Sequence, residues 1–555
     1  VSATTLDLKR DDREGRAGRA GRAASGPGGI TPDTHARHRW LTLAVLCASS
    51  LLVSLDTTVL NAALPSIVRH LGATTSQLQW IVDAYAVVFA GFLLSMGALG
   101  DRLGRKWLFM AGLVVFGAGS ALAAYSGSAD RLTAARAIMG VGAAALMPGT
   151  LSILTNVFAA PRERMRAIGI WSGATGLGVA IGPILGGYLV THYWWGSVFL
   201  VNVPVVVIGV IAAIWWIPNS REPNGSRADP IGAVLSLAGL GTLLWGIIEA
   251  PGRGWSSGPV IGSLAASVAI LSSFVAWERH TDHPLLPLRF FRSRRYSVAI
   301  AALALTLFAL LGMFFLMTQY LQSVLGYSAL GAGFRIAPVA LALLVVAPLS
   351  VLLARRFGTK VVVAAGLVLV AVGLGLLSTT TSSNTYTHSI LPFAILGVGV
   401  ALALAPSTES VMGSLPADRA GVGSATNDAA MQVGGALGVG VLGTALSLRY
   451  QHLVGPVLLH VPLSDPVRRV IESSLGGALA VAARAPRPEG TALALEARHA
   501  FVQGMDLALV IAAVVVAAAA VLVMVFLPAR AEPTAGRTGQ SPQTGEDDSP
   551  DALTS

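Results

Sequence analysis

Charge in this chain is confined to short clusters, and between the clusters run apolar stretches of roughly 20 residues, the length a helix needs to cross hydrocarbon. Inside a bilayer each segment must satisfy its own backbone polar groups, so repeated runs of this length dictate a bundle of spanning helices. We count about fourteen runs, from 41–63 and 79–100 near the start to 421–447 and 506–528 near the end. Composition agrees. Only 12% of the 555 residues are charged, against about 25% in soluble domains, and the mean hydropathy is +0.68. The fold class expected is therefore all-α and integral to a membrane.

The net charge of +10 would suit a nucleic-acid partner. The basic residues mostly flank the apolar runs, however, where they act as topology signals, and no nucleic-acid role is expected. Arg-rich links at 101–106, 162–166, 221–227, 279–295, 355–360 and Arg419 fall on alternate turns, while the opposite links carry little beyond Arg69, Arg131 and Arg253. The positive-inside rule places the basic links and both tails in the cytoplasm. The link 448–505 opposes this with about six arginines, but long loops cross regardless of charge. Its apolar part, about 470–483, is too short to span and is expected to form an external helix. The tails 1–39 and 531–555 lack the hydrophobicity to fold and are expected to be disordered. Cys47 is the one cysteine, so no disulfide forms within the chain. The near absence of lysine beside abundant Arg, Ala and Gly suggests a GC-rich bacterial genome.

The hinge between the second and third runs is Asp101-Arg102-Leu103-Gly104-Arg105-Lys106, four positions after Gly97. This Gly-x-x-x-Asp-Arg-x-Gly-Arg-Lys pattern resembles the signature of the major facilitator superfamily of secondary transporters. Arg355-Arg356-Phe357-Gly358-Thr359-Lys360 looks like a degraded copy, with Arg355 in the aspartate's place, and points to an internal repeat. The resemblance implies two six-helix bundles, at 40–220 and 296–530, with an additional helix pair and basic link at 221–295. Two added spans between the halves match the fourteen-span drug:proton antiporter branch, the EmrB/QacA type. A monomer in a bacterial cytoplasmic membrane, without a cofactor and driven by the proton gradient, is what that branch implies.

Further motifs carry the resemblance. Leu55-Asp56-Thr57-Thr58-Val59-Leu60-Asn61-Ala62-Ala63-Leu64-Pro65 is similar to an element of that branch's first span. A carboxylate inside a span costs at least about 2.5–3.5 kcal/mol and must face protein or water. An acid whose surroundings change between two conformations can bind a proton in one and release it in the other. Asp56 is therefore a candidate proton carrier; the plainer alternative is an acid that bonds neighbouring helix ends. Asp83, in the outer half of the second span, is expected to share a cavity with Asp56 or to sit in interfacial water. Asp428, one turn before Gln432, is either a cation or proton site or a helix-start cap. Glu409 is a weaker candidate, and Glu249 reads as water-facing. Arg136 lies early in the fourth span, where the family's Arg-x-x-x-Gly element is implicated in proton transfer. It stays charged and can act on a carboxylate beside it, or it snorkels to the interface.

Gly178-Val179-Ala180-Ile181-Gly182-Pro183-Ile184-Leu185-Gly186-Gly187 resembles the exporters' antiporter motif at every fixed position. Small residues let helices touch, and proline bends the span by removing one backbone bond. Gly97, Asp101, Arg102, Gly104, Arg105 and Lys106 are expected to form a gating hinge whose charges pair with each other and with helix ends. Tyr85, Gln319, Tyr320 and Gln322, with Trp80, are candidates for a mildly polar aromatic pocket, although aromatics at span ends are more often interfacial anchors. No Gly-x-x-x-x-Gly-Lys-[Ser/Thr] loop, metal-ligand cluster or nucleophile–base pair stands out, so an enzyme or direct ATP use is not expected. The resemblance implies proton-coupled efflux of an amphiphilic drug or natural product. Export of another metabolite (an amino acid, sugar or lipid) and a non-transporting membrane sensor are the alternatives.

Overall fold

The computed structural model describes residues 32–158, 160–220, 229–281, 284–286, 288–381, 386–415, 420–458 and 463–528. Within them lie fourteen helices long and apolar enough to cross a membrane. The first half comprises α1 (Pro32–Leu71), α2 (Thr75–Leu103), α3 (Arg105–Ala124), α4 (Ala129–Val157), α5 (Pro161–His192) and α6 (Asn202–Trp216), the last preceded by a short turn of helix, Ser197–Leu200. The inserted pair is α7 (Pro230–Arg253) and α8 (Gly258–His280). The second half comprises α9 (Arg294–Gln319), α10 (Ala329–Phe357), α11 (Thr359–Leu377), α12 (Thr387–Met412), α13 (Ala420–Leu458) and α14 (Glu489–Phe526). No strand occurs among the described residues. The fold is the all-α arrangement expected, although α1 already begins at Pro32, inside the segment expected to be disordered. Residues 1–31, Arg419 and 529–555 lie outside the described residues.

Local signals set the helix ends. Thr74 accepts from the Gln77 backbone N–H while the Gln77 side chain accepts from the Thr74 N–H, a capping box that starts α2. Ser128, Asp229, Ser293 and Ser328 cap α4, α7, α9 and α10 in the same manner, each accepting one otherwise orphaned N–H. At the two hinges a glycine in the left-handed region joins one helix to the next: Gly104 has φ 112° and Gly358 has φ 88°. A side chain there would be strained, which accounts for glycine at the corresponding place of both hinges. The matched geometry supports the internal repeat.

The halves meet at the end of the bundle opposite the Asp101 hinge. There Leu330 N–H of α10 donates to Thr191 Oγ1 of α5 at 3.1 Å, and Gln322 donates to the Ala62 carbonyl at 3.0 Å. Gln79 of α2 donates to the Val439 and Gly440 carbonyls of α13 at 3.2 and 2.8 Å. Towards the hinge end α5 has lost such neighbours: a methyl placed on Gly169, Gly173 or Gly176 would meet nothing within 4 Å. The molecule is therefore closed at the far end and parted along α5 at the hinge end. Beyond the far end, α13 and α14 extend and carry two short helices, Asp465–Ser473 and Leu475–Ala482, where one external helix was expected. Tyr450 donates to the Ile471 carbonyl, and Thr75 of the first half donates to the Ser473 carbonyl. The long link thus rests on the ends of both halves.

Candidate functional site

Five helices of the first half bring a carboxylate and a guanidinium together. Asp56 of α1 is 0% exposed and Arg136 of α4 is 1% exposed. Arg136 donates from Nη1 to Asp56 Oδ2 at 2.5 Å and from Nε to the Ile81 carbonyl of α2 at 3.1 Å. Asn202, the first residue of α6, donates to Asp56 Oδ1 at 3.3 Å and to Ser120 Oγ of α3 at 2.9 Å, and Ser120 donates in turn to the Phe199 carbonyl. The guanidinium lies 4.3 Å from the centre of the Tyr85 ring and 5.9 Å from that of Phe199. Removing one partner of such a pair costs about 3–5 kcal/mol, because the other charge is left buried and alone. Asp56 and Arg136, singled out separately from the sequence, form one unit. Asn202 was visible there only within Phe199-Leu200-Val201-Asn202-Val203-Pro204, a stretch that opens the sixth span and fits the same branch, and Ser120 carried no signal.

Asp83 is the opposite case. It is 0% exposed and neither carboxylate oxygen has a hydrogen-bond partner. It does not share a cavity with Asp56, nor does it stand in interfacial water. Ile81 and Tyr85 face Arg136, and on a helix turning about 100° per residue the intervening Asp83 points away from them. It faces α13 instead, where a methyl on Gly440 would lie 3.5 Å from Asp83 Oδ2. Asp428, half-buried near the hinge end of α13, accepts from Asn427 Nδ2 at 3.2 Å. Asn427 in turn accepts from Thr408 of α12.

The antiporter motif divides its glycines between two partners. Methyls on Gly178, Gly182 and Gly186 would run into α1, at 2.7 Å from the Leu51 carbonyl, 2.9 Å from Thr58 Cβ and 2.6 Å from the Val59 carbonyl. Gly187 faces the second half instead: its methyl would lie 2.5 Å from the Ala329 carbonyl of α10. Gly333 of α10 returns the contact, packed against the carbonyl of Pro183. At the hinge, Arg105 Nε donates to Asp101 at 2.8 Å, Lys106 Nζ donates to the Ile214 carbonyl of α6, and Arg102 is exposed. A methyl on Gly97 would meet Pro148 at 3.5 Å, an ordinary contact, so the close approach expected at this glycine is absent in this conformation.

The pocket expected from the sequence is displaced. Tyr85 is buried beneath Arg136, Gln319 donates back to the Phe315 carbonyl of its own helix, and Tyr320 donates to the Thr381 carbonyl. Gln322 is spent on the contact between the halves. Trp80 packs with the inserted helix α7. A narrow cavity between the halves is lined by Thr58, Asn61, Pro183, Phe314, Thr318 and Ile336, among others. Asn61 Oδ1 is buried there without a partner. No cluster of His, Cys, Asp and Glu able to hold a metal occurs among the described residues.

Comparisons with known proteins place the chain in a family. Residues 46–439 match the family model "Major Facilitator Superfamily". The multidrug efflux pump LfrA of Mycolicibacterium smegmatis is 37% identical over 87% of this chain and 95% of its own length. The tetracenomycin C resistance and export protein of Streptomyces glaucescens is 33% identical over 89% and 94%. The methyl viologen resistance protein SmvA of Salmonella typhimurium is 32% identical over 85% and 94%. A solved bacterial homologue of the human lysosomal transporter Spinster, inward-facing and unoccupied, has the same fold with a TM-score of 0.63 at 18% identity, covering 91% of this chain and 100% of that one. The chain is a fourteen-span member of the Major Facilitator Superfamily.

Proposed function

We propose that this protein exports amphiphilic drugs or natural products across a bacterial cytoplasmic membrane in exchange for protons, with both tails and the Asp101 hinge on the cytoplasmic side. The observation that carries the proton coupling is the buried Asp56–Arg136 pair. Protonating Asp56 removes the charge that holds Arg136 to α1. Arg136 keeps its bonds to the Ile81 carbonyl and the Tyr85 face, so α1 is released from α2 and α4. The released helix is the one against which Gly178, Gly182 and Gly186 are packed. A proton taken up inside the first half thereby reaches the antiporter helix α5, whose other face closes the far end against α10. Coupling needs only that the proton and the cargo prefer different states of this equilibrium.

Asp83 serves as a second acid: while the far end is closed it is buried with no hydrogen-bond partner on either oxygen. Asp428, nearer the parted end, suits release to the cytoplasm. Export of drugs rather than other metabolites is supported by the three relatives, and the buried, unpartnered Asn61 oxygen between the halves is an acceptor that a cationic or N–H-bearing cargo meets once the halves part. The test uses inside-out vesicles with an acid interior. Adding methyl viologen or tetracenomycin C should release protons through the natural protein and not through Asp56→Asn. Full release by a folded Asp56→Asn protein refutes the assignment.

A further inference from the structure

The inserted helix α7 lies across the α2–α13 seam, and it is bound to the two sides unequally. Along α2 it is attached over its whole length. Ser76 donates to the Ile248 carbonyl at 3.1 Å, Leu237 stands 3.1 Å from where a Gly91 methyl would be, and Ser95 donates to the Asp229 carbonyl at 3.4 Å. Along α13 its one hydrogen bond lies in the far half, and below it the contact is packing alone, with Ala436 and Leu437 in the same apolar cluster as Leu237 and Leu240. Thr444 donates to the Ile247 carbonyl at 3.0 Å, and Leu244 and Ile248 approach Gly440 within 2.9 and 3.8 Å of its notional methyl. The same notional methyl lies 3.5 Å from Asp83 Oδ2, so Asp83, Leu244, Ile248 and Gly440 converge on one spot at the far end.

We propose that α7 is an intramembrane clasp: it rides with α2, grips α13 through Thr444, Leu244 and Ile248, and walls Asp83 off until that grip is released. The inserted pair then has a mechanical role. Opening the far end requires α13 to part from α2, where Gln79 also bonds it. When α13 leaves, it breaks the Thr444–Ile247 bond, and the gap that forms gives Asp83 its path to external water. The clasp rests on the proposed alternation between two open states, and not on which acid carries the proton.

The test places a single reporter in the full chain in native membranes. Cys47→Ser removes the sole cysteine, Asp83→Cys supplies the reporter, and a membrane-impermeant maleimide is applied from the far side. Leu244→Ala, which trims the packing against Gly440, and Thr444→Val, which removes the bond to the Ile247 carbonyl and the longer one accepted from Gln79, should each raise the labelling rate by about fivefold or more. Thr444→Ser, which keeps the hydroxyl, should hold the parent rate. Ser76→Ala should also leave it near the parent rate, since α7 keeps its other attachments to α2. Unchanged labelling in both Thr444→Val and Leu244→Ala overturns the proposal. So does acceleration by Ser76→Ala as large as that by Thr444→Val, which would mean that α7 travels with α13. If Thr444→Val fails to reach the membrane, Leu244→Ala decides alone. Proton-coupled export by Asp83→Asn is measured separately: intact coupling there removes Asp83 from the proton path and leaves the clasp standing.

Discussion

Gly333→Ala should open the far end without unfolding either half. The methyl would lie 2.8 Å from the carbonyl carbon of Pro183 and 3.1 Å from Ile184 Cα, and because these are backbone atoms they cannot rotate aside. Overpacking of this kind costs about 1–3 kcal/mol. The cost falls on the closed far end alone, because the contact joins α10 to α5 across the two halves. The ratio of open to closed molecules should therefore rise by about 5- to 150-fold. Gly366→Ala is the control. Its methyl runs into the Gly399 carbonyl and the Ala403 nitrogen of α12, inside the second half and off the α1–α5 contact, and should lower thermal stability while leaving the ratio nearly unchanged. The assay is pulsed electron paramagnetic resonance between spin labels at Tyr193 and Phe334, both exposed near the far end, in a Cys47→Ser background. A Gly333→Ala distance distribution identical to the parent's would refute the reasoning, as would an equal shift produced by Gly366→Ala.

Asp56→Ala should destabilise the protein by about 3–5 kcal/mol, seen as a lowered thermal midpoint, because it strands Arg136. Asp56→Asn should cost much less, since its amide still offers an acceptor. Asp83→Asn should leave the thermal midpoint unchanged or raised, because no hydrogen bond is lost. Arg355→Ala removes a pair 4.0 Å from Glu409 in which the arginine side chain is 71% exposed, and chemical or thermal denaturation should register at most about 1 kcal/mol. Asn202→Asp places a second carboxylate beside Asp56 and should shift the pH dependence of export, whereas Ser120→Ala, which removes the bonds to Asn202 and to the Phe199 carbonyl but touches neither charge, should leave it near that of the parent.

Span number, the internal repeat and the antiporter helix were all legible in the sequence, because each depends on periodicity along one segment. Gly178, Gly182 and Gly186 recur every four residues and so mark a single face, which the structure lays on α1. Gly187, one residue on, turns to another face, and its partner α10 could not be read from spacing. Asp56 and Arg136 were each marked by being charged inside a span, but their pairing depends on how α1 packs with α4. The separation of Asp83 from Asp56 was half legible: alternate residues of a helix point apart, and Tyr85 had already taken the inner face. The expected pocket residues are engaged elsewhere in this conformation. Gln319, Gln322 and Tyr320 are polar groups in an apolar environment, and each donates to a nearby carbonyl. The cavity between the halves belongs instead to residues such as Phe314 and Ile336, whose apolar character is indistinguishable from core.

The two hinges share a backbone turn but not a charge balance. The first carries its own counterion, Asp101, which holds Arg105 one turn away on the adjoining helix. The second, having Arg355 where the acid stood, must borrow Glu409 from a different helix, across 4.0 Å of exposed surface. With arginine in place of the acid and threonine in place of Arg105, the first elbow holds an ion pair of its own and the second depends on a neighbour for one. Salt should therefore act on the two elbows of the carrier unequally, loosening the borrowed pairing first.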